Sequence, residues 1–353
     1  MRRQQPMGEA SRGSALIVVL WVTGLLAMLT ASFAFEAHLE ARITNYYRNR
    51  TQAYYSARSG VALAELLISK SAGLQGTELD AARAQQESWY EDARSLAEGG
   101  YIAIEHEIAV DEGEVATIML RIEPEPARRN INVIAQEEDI DSMELILETG
   151  GIPYELYPVL IDSLFDWIDQ DDTPRADGAE TDDYYATLDP PYRAKNGPLD
   201  TVGEMLLIRG YSREILEGGR LTGSFFETDE MYVQGIGDLL TVHGDGKVNV
   251  NAASQRVLLT IPEMDDLIAR DIVRLRGEWT DAGGEARQGF RSPGEFFQEF
   301  PDFPEARRNM ITTDSAIFRI ESVGILYGVR HTIWCTVEHS DGRVRILEWR
   351  EDD

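Results

Sequence analysis

The sequence predicts an α+β fold in which one long N-terminal helix supports a small antiparallel sheet and a large α-helical domain is inserted between the strands. Three observations predict it. An uncharged apolar run over residues 13–35 continues into an amphipathic pattern, alternating strand patterns occur only near residues 101–123 and 318–349, and a short motif recurs between them. The 353 residues suffice for a helix and two folded domains.

The first predicted element is a single helix over residues 14–70. Its first part contains no charged side chain as far as Phe35 and is longer than about 18 residues, which is typical of a membrane span. Beyond Phe35, apolar residues recur at helical spacing among charged ones, and no proline interrupts the pattern. Arg2, Arg3 and Arg12 precede the span and favour a cytoplasmic N-terminus, with the remaining chain across the membrane.

Three interpretations of this N-terminus are open: a cleaved secretory signal, a signal anchor, and a leader that is cut after Gly13. The apolar run is long for a secretory signal and continues as a helix, which disfavours the first. The junction Arg12-Gly13-Ser14-Ala15-Leu16 resembles the processing site of prepilins, in which a short basic leader is removed from an apolar helix. Residues 1–13 are therefore predicted to be a leader, with Gly13 and Ser14 as the processing site.

Val18 is the fifth residue counted from Ser14, a position at which most pilin-like proteins have Glu. A carboxylate in lipid is costly, and in those proteins it pairs with the terminal amine of a neighbouring subunit. A subunit with nothing above it in the filament does not need this pairing. In this respect the sequence resembles the K family of type II secretion minor pseudopilins. The resemblance implies a pilin-like head and a position at the tip of the pseudopilus.

The chain is strongly acidic, since 62 Asp and Glu residues against 33 Lys and Arg residues give a formal net charge of −29. Such a chain is repelled by nucleic-acid phosphates and by anionic membrane surfaces, so no nucleic-acid partner is expected. Solubilisation is the simplest role for the charge, although it also attracts divalent cations. Cys335 is the single cysteine and lies in a predicted strand, so no intrachain disulfide can form.

Five strands are predicted for the sheet. Residues 101–110 and 115–123 form a first hairpin, and residues 318–326, 331–339 and 343–349 supply three more strands at the end of the chain. The head is therefore divided into residues 71–126 and 316–353, with residues 127–315 inserted as the helical domain. The resemblance agrees with this organisation, because K-type subunits carry a large helical domain inserted in a pilin-like head.

An internal repeat lies within the insertion. Residues 130–135 (NINVIA) resemble residues 248–253 (VNVNAA), and each copy is followed by a short helix, a break and a second helix. The two copies are predicted to be helix-hairpin-helix or SAM-like units, with Asn251 as the N-cap of the second unit's first helix. The turn of that unit has no Gly and contains Glu263, Asp265 and Asp266, which disfavours DNA binding. The hairpins are interpreted as packing or protein-contact modules.

Residues 162–185 are the most chemically specific stretch, because a helix there continues into an acidic loop. Crowded carboxylates repel one another unless a cation neutralises them, and Arg175 is the one cation within this stretch. Calcium suits such a loop because it takes about six to eight oxygen ligands in a flexible geometry, whereas no His lies nearby for zinc or iron. The spacing is not that of an EF-hand. A solvated acidic surface is the alternative.

The resemblance implies that this loop binds calcium, because the inserted domain of K-type subunits does so and the stretch D-W-I-D-x-D-D-x-P is similar to its signature. Asp166 and Asp200 are ranked as less favoured ligands. The predicted ligands are Asp169, Asp171, Asp172, Glu180, Asp182 and Asp183. The aromatic residues that frame the loop, and that predict it to be ordered, are Trp167, Tyr184, Tyr185 and Tyr192.

The sequence contains no recognised catalytic motif: the five His residues lie in no metalloprotease pattern, and hydrolase, Walker and dinucleotide-binding motifs are absent. The chain is therefore interpreted as a structural subunit and not an enzyme. The expected function is that of a minor pseudopilin anchored in the bacterial inner membrane by a single span, with its head in the periplasm. It would be processed by prepilin peptidase and would join the I- and J-type minor pseudopilins at the pseudopilus tip, where assembly begins.

Two other functions are kept open. A signal-anchored periplasmic adaptor that binds calcium would have no role in a filament and would keep its leader. A DNA-uptake protein would use the helix-hairpin-helix units to bind DNA, against the charge of the chain.

Overall fold

The computed structural model describes residues 12–73, 90–97, 100–111, 113–221, 231–278 and 289–352. The N-terminal helix, α1 (Arg12–Gly73), contains 62 residues, which corresponds to about 93 Å at a rise of about 1.5 Å per residue. The predicted long helix is confirmed. Residues 15–48 are exposed, whereas from Ala53 onwards one face of α1 is buried.

The five predicted strands of the head are confirmed. They are β1 (Ile102–Asp111), β2 (Glu114–Pro124), β9 (Ile317–Leu326), β10 (Val329–Ser340) and β11 (Arg343–Glu351). They form one antiparallel sheet in the order β1-β2-β9-β10-β11. The pairing of β2 with β9 joins the first hairpin to the end of the chain, so the sheet is complete only when both parts meet.

The second half of α1 packs across one face of this sheet at very close range. A Cβ at Gly324 would lie 2.0 Å from the carbonyl oxygen of Ala53, so only glycine permits the approach. Ser322 donates a hydrogen bond of 2.7 Å to the carbonyl of Ala57. Cys335 is buried in the core beneath α1, as expected of a strand residue, and burial raises the pKa of its thiol to about 12. The short helix α2 (Tyr90–Ala97) adds to the same core.

The inserted domain lies between β2 and β9 and consists of short helices and short strands. Among the described residues, its apolar core shares no residue with that of the head. Its helices are α3 (Ile131–Gln136), α4 (Ile140–Thr149), α5 (Tyr157–Ile168), α6 (Arg213–Glu217), α7 (Gln255–Leu258), α8 (Asp266–Glu278) and α9 (Pro293–Glu299). Its strands are β3 (Arg129–Asn130), β4 (Gly219–Leu221), β5 (Met231–Val233), β6 (Leu240–Thr241), β7 (Val248–Asn249) and β8 (Ile311–Thr312).

The two copies of the internal repeat have matching geometry. β3 pairs in parallel with β6, and β7 pairs in parallel with β8. Asn130 Oδ1 accepts a hydrogen bond from the N–H of Asn132 at 3.0 Å, and Asn249 Oδ1 accepts one from the N–H of Asn251 at 2.9 Å. Residues 129–241 are named unit one, and residues 248–312 are named unit two. Whether their helix pairs are helix-hairpin-helix or SAM-like units stays a prediction.

The side chain of the second asparagine in each copy forms hydrogen bonds with the backbone of a segment distant in sequence. Asn132 donates to the carbonyl of Leu199 at 3.0 Å and accepts from the N–H of Leu199 at 2.7 Å. Asn251 makes the same pair of hydrogen bonds with Phe290, at 2.9 and 2.7 Å. The prediction that Asn251 is a helix N-cap is therefore wrong. Its side-chain amide is engaged with Phe290, and Ser254 caps α7 instead.

Candidate functional site

Within the described ranges, α1 is the one helix that is long and apolar enough to cross a membrane. Its apolar side chains from Leu16 to Phe35 are exposed, and Val18 among them is 60% exposed. The backbone of Gly13 and Ser14 lies in the first turn of α1. Residues 1–11 of the predicted leader lie outside the described residues. Cleavage after Gly13 stays a prediction.

The acidic loop begins where α5 ends and folds back over that end. Asp169 closes the helix, with its N–H donating to the carbonyl of Phe165 at 2.9 Å. One turn earlier, the fully buried carboxylate of Asp166 accepts from the N–H of Arg175, at 3.1 and 3.3 Å to its two oxygens. Gly178 lies so close that a Cβ there would be 1.9 Å from Asp166 Oδ2. The returning loop therefore seals Asp166 from solvent.

Within the part of the chain that the structure describes, Glu180 is a buried carboxylate without compensating hydrogen bonds to its oxygens. It is 1% exposed, and neither of its oxygens has a hydrogen-bond partner among the described residues. Burial, together with the charges of Asp166 and Asp169, raises its pKa to about 7. Burial also raises the pKa of Asp166 to about 6. Two buried carboxylates that repel each other near neutral pH would be strongly stabilised by a positive charge between them.

The predicted ligands nearest the start of the loop accept hydrogen bonds from the loop and from the segment that follows it. Asp169 Oδ1 accepts from the N–H of Asp171 at 3.3 Å, and Asp171 Oδ1 accepts from the N–H of Thr173 at 2.8 Å. Asp172 accepts from the side-chain amide of Asn196 at 3.0 Å. These three carboxylates are less buried than Glu180 and keep oxygen atoms directed to solvent or to neighbouring groups.

The remaining predicted ligands lie at the outer side of the loop. Asp182 and Asp183 are exposed, and Asp183 accepts from the N–H of Glu180 at 2.9 Å. Asp200 is also exposed and pairs with Lys195 at 2.8 Å, which agrees with its lower rank. Asp166, ranked equally low, is instead the most deeply buried carboxylate of the group. Its signal in the sequence is the spacing of Asp162, Asp166 and Asp169, which places all three on one face of α5.

An aromatic cluster holds the loop against the domain core. The ring of Tyr185, which is fully buried, lies 5.1 Å from that of Trp167 and 5.3 Å from that of Tyr192. Trp167 donates to Glu204 at 3.2 Å, and the hydroxyl of Tyr192 donates to the carbonyl of Leu207 at 2.8 Å. These contacts agree with the prediction of an ordered loop.

The residues present fit a calcium ion in their chemistry. Among the described residues, no three acidic, His or Cys side chains are already close enough together to hold a metal ion. Glu180, however, has two buried oxygens without partners, and Asp166 and Asp169 lie near enough to raise its pKa. An oxygen-only set with an uncompensated negative charge is what calcium prefers.

The comparisons with known proteins converge on one family. Residues 127–219, which contain the acidic loop, match the family described as "Type II secretion system (T2SS), protein K". The chain is 24% identical to type II secretion system protein K of Pseudomonas aeruginosa, over 97% of this chain and 93% of that protein. The resemblance to protein K is thereby confirmed. The putative protein K of Escherichia coli K12 is 25% identical over 60% of this chain and 61% of that protein.

A solved structure shows the same fold. The GspK-GspI-GspJ complex of enterotoxigenic Escherichia coli contains a chain that matches with a TM-score of 0.58 at 15% identity, over 89% of this chain and 99% of that one. The predicted combination of a long N-terminal helix, an antiparallel sheet and further helices is confirmed. This match shows the fold, whereas the similarity to protein K rests on the family match and the relatives.

Proposed function

We propose that this chain is the minor pseudopilin at the tip of a type II secretion pseudopilus, where it begins assembly. The observation that carries the proposal is the continuity of α1. Its exposed apolar half runs without a break into the half that forms the core of the head with the sheet. One helix thus joins the membrane to the head, as a filament of packed helices requires. Arg2, Arg3 and Arg12 favour a cytoplasmic N-terminus, which would leave the head in the periplasm.

The tip position is supported by the span and by the insertion. Because position 18 is Val18, the span has no carboxylate there that could pair with the terminal amine of a neighbouring subunit. The inserted domain extends from the middle strands β2 and β9 of the sheet, and its bulk would obstruct a subunit that stacked above it. Both features suit a subunit that ends the filament.

The expected partners are the I- and J-type minor pseudopilins, since the solved relative is described in a complex with GspI and GspJ. Beyond the span, α1 presents exposed apolar and aromatic side chains that no described residue covers. Neighbouring pseudopilin helices would cover them. These side chains are Leu39, Ile43, Tyr46, Tyr47 and Tyr55.

The first test is the intact mass of the full chain extracted from inner membranes. A mass that corresponds to a chain beginning at Ser14 is expected, because prepilin peptidase would remove residues 1–13. A Gly13→Ala variant serves as the control and should retain the leader. A wild-type chain that still begins at Met1 would contradict the pseudopilin proposal and favour the signal-anchored adaptor.

A second test concerns Val18. Val18→Glu should reduce secretion and tip-complex formation, because it gives the span a carboxylate able to pair with a subunit above. Val19→Glu is the matched control, since it places the same charge in lipid one residue away, on a different side of the helix. A larger loss for Val18→Glu than for Val19→Glu supports the tip role. Equal secretion by Val18→Glu and the unaltered chain would count against it.

We also propose that the acidic loop binds calcium. Glu180 would hold the ion with Asp166 and Asp169, and the ion would neutralise the buried charge. The carboxylates at the outer side of the loop would complete the set, directly or through water. They are Asp171, Asp172, Asp182 and Asp183.

Titration calorimetry of the full chain in detergent, with calcium and with magnesium, tests this proposal. We expect calcium to bind more tightly than magnesium and Glu180→Gln to weaken calcium binding at least about tenfold, the effect of losing one charged ligand. Asp200→Asn is the matched control and should bind as the unaltered chain does. Undiminished binding by Glu180→Gln would refute the assignment.

A further inference from the structure

The head and the inserted domain meet across a cleft and not through a shared apolar core. Their two apolar clusters have no member in common within the described residues. The cleft has a volume of about 420 Å³, with the sheet face opposite α1 on one side and residues 201–203, Leu240 and Val242 on the other. Because water can enter this space, apolar packing there does not fix the orientation of the domain on the sheet.

One buried carboxylate bridges the two sides of this cleft. Glu125 directly follows β2 and is fully buried. Its Oε1 accepts from the hydroxyl of Thr241 at 2.5 Å and from the guanidinium of Arg319 at 2.7 Å. Thr241 belongs to β6 of the inserted domain, whereas Arg319 belongs to β9 of the sheet. Glu125 Oε1 therefore contacts both domains.

Two further charges complete this cluster, which is named the clasp (Glu123, Glu125, Arg128, Thr241 and Arg319). Arg128 pairs with Glu123 at 2.7 Å and lies 3.9 Å from Glu125 Oε2. Glu123 is opposite Arg319 in the pairing of β2 with β9. Two carboxylates and two guanidinium groups balance in charge, which allows Glu125 to remain ionised in a buried position.

We propose that the clasp fixes the orientation of the inserted domain on the head, with Glu125 as the positioning residue. The chain passes between the domains twice, leaving the sheet after Pro124 and re-entering it at Ile317. The clasp lies beside both crossings and ties them together. A buried ion pair has strict geometry, because the loss of one partner leaves another charge uncompensated. The inference concerns the shape of the head and holds independently of the tip role.

The test measures the distance between the two domains in the full chain in detergent micelles. Spin labels are attached through Glu155→Cys in the inserted domain and Arg343→Cys in the sheet, both exposed positions. Cys335 can remain, because its thiol is buried and its pKa of about 12 leaves almost no reactive thiolate at neutral pH. Double electron–electron resonance then gives the distribution of inter-label distances.

The clasp is weakened from each side in turn. Thr241→Val removes the partner on the inserted domain, Arg319→Gln removes the partner on the sheet, and Glu125→Gln removes the central charge. Glu338→Gln is the matched control, because Glu338 pairs with Arg345 at 2.7 Å within the sheet and has no role between the domains.

We expect the labelled parent and Glu338→Gln to give one narrow distance distribution. Each clasp variant should at least double its width at half-height or add a second distance. Far-UV circular dichroism identifies the variants that remain folded. If the charge variants fail to fold, Thr241→Val still tests the proposal, because it deletes a single hydroxyl. A folded Thr241→Val chain with the parent's distribution would overturn the proposal.

Discussion

Units one and two of the inserted domain share a pattern of backbone contacts, named the shared frame, but differ in the side chains packed inside it. In both, an asparagine holds a distant segment by two backbone hydrogen bonds beside a short parallel strand pair. In unit one that segment closes the acidic loop. In unit two it begins a cluster of phenylalanines, in which the ring of Phe296 lies 5.4 Å from Phe290, 5.1 Å from Phe300 and 5.7 Å from Phe303. The shared frame therefore does not determine which side chains pack inside a unit.

Arg276 in unit two and Glu180 in unit one are charged side chains that differ in how they are compensated. In unit two, Arg276 donates to the carbonyls of Val250 and Ala253 at 3.1 and 2.7 Å. In unit one, the buried oxygens of Glu180 have no partner among the described residues, and Asp166 adds a second negative charge beside it. The charge of Arg276 is thus satisfied by carbonyl groups of its own unit, whereas the charge of Glu180 in unit one requires a cation or a proton. This difference makes the comparison testable.

The largest effect is expected from the shared frame. Asn132→Ala and Asn251→Ala should each reduce the free energy of unfolding of the inserted domain by about 3–5 kcal/mol, because each leaves several buried backbone groups without partners. Chemical unfolding would measure it. Gln255→Ala is the control, since Gln255 bonds to an exposed Asp266 side chain at 2.8 Å and should cost less than about 1 kcal/mol. A small cost at only one of the two asparagines would show that the units are not equivalent.

The second effect separates the units. Saturation with calcium at a hundredfold excess over its dissociation constant should stabilise the chain by about 3 kcal/mol. Amide hydrogen exchange read by mass spectrometry should show slower exchange in peptides from residues 162–200 and no change in those from residues 289–312. Equal protection of both units would show that the ion acts on the whole domain. Unchanged exchange in both would count against calcium binding.

The shared frame was predictable to a useful degree from the sequence, because the asparagines of the repeat recur at one spacing. Helix and strand periodicity likewise predicted α1 and the five strands of the sheet. The role of Asn251 was not predictable in this way. N-cap preference is a local rule, whereas the partner of Asn251 is Phe290, 39 residues away. Long-range hydrogen bonds of this kind leave no pattern in one sequence.

The candidate calcium loop shows the same limit. Asp166 is ranked as a less favoured ligand from the sequence, although the structure buries it completely. Its burial arises because Arg175 and Gly178 return over the end of α5. Glu125 of the clasp gave no signal at all, since its partners Thr241 and Arg319 are 116 and 194 residues away. Residue type and spacing predicted which loop is acidic, but only the tertiary fold determines which carboxylates lose their contact with water.

A smaller effect tests whether the charge of Glu180 is the cause of the difference. Without calcium, Glu180→Gln should stabilise unit one by about 1 kcal/mol at pH 8, because it removes an uncompensated buried charge. The folded pKa of Glu180 is raised to about 7 from an ordinary value of 4.5. Its penalty is therefore absent below pH 4.5, grows as the pH rises from 4.5 to 7, and is fully present above pH 7.

The measurement is thermal unfolding without calcium between pH 5 and pH 8. The melting temperature of the unaltered chain should fall over this range. In Glu180→Gln it should fall less. Asp182→Asn changes an exposed carboxylate of the same loop. It should leave the dependence of the melting temperature on pH unchanged. An equal slope in the unaltered chain and in Glu180→Gln would mean that another group causes the pH dependence.

The smallest effect is expected at the acidic residue that leads into unit two. Asp245 pairs with Lys247 at 3.0 Å, and their side chains are 63% and 47% exposed. Asp245→Asn should therefore change the free energy of unfolding by no more than about 0.5 kcal/mol, and it should leave the stabilisation by calcium unaltered. Thermal unfolding with and without calcium measures both. If Asp245→Asn reduced the calcium effect, the ion would contact unit two as well. Burial of carboxylates in unit one would then no longer explain why the two units differ.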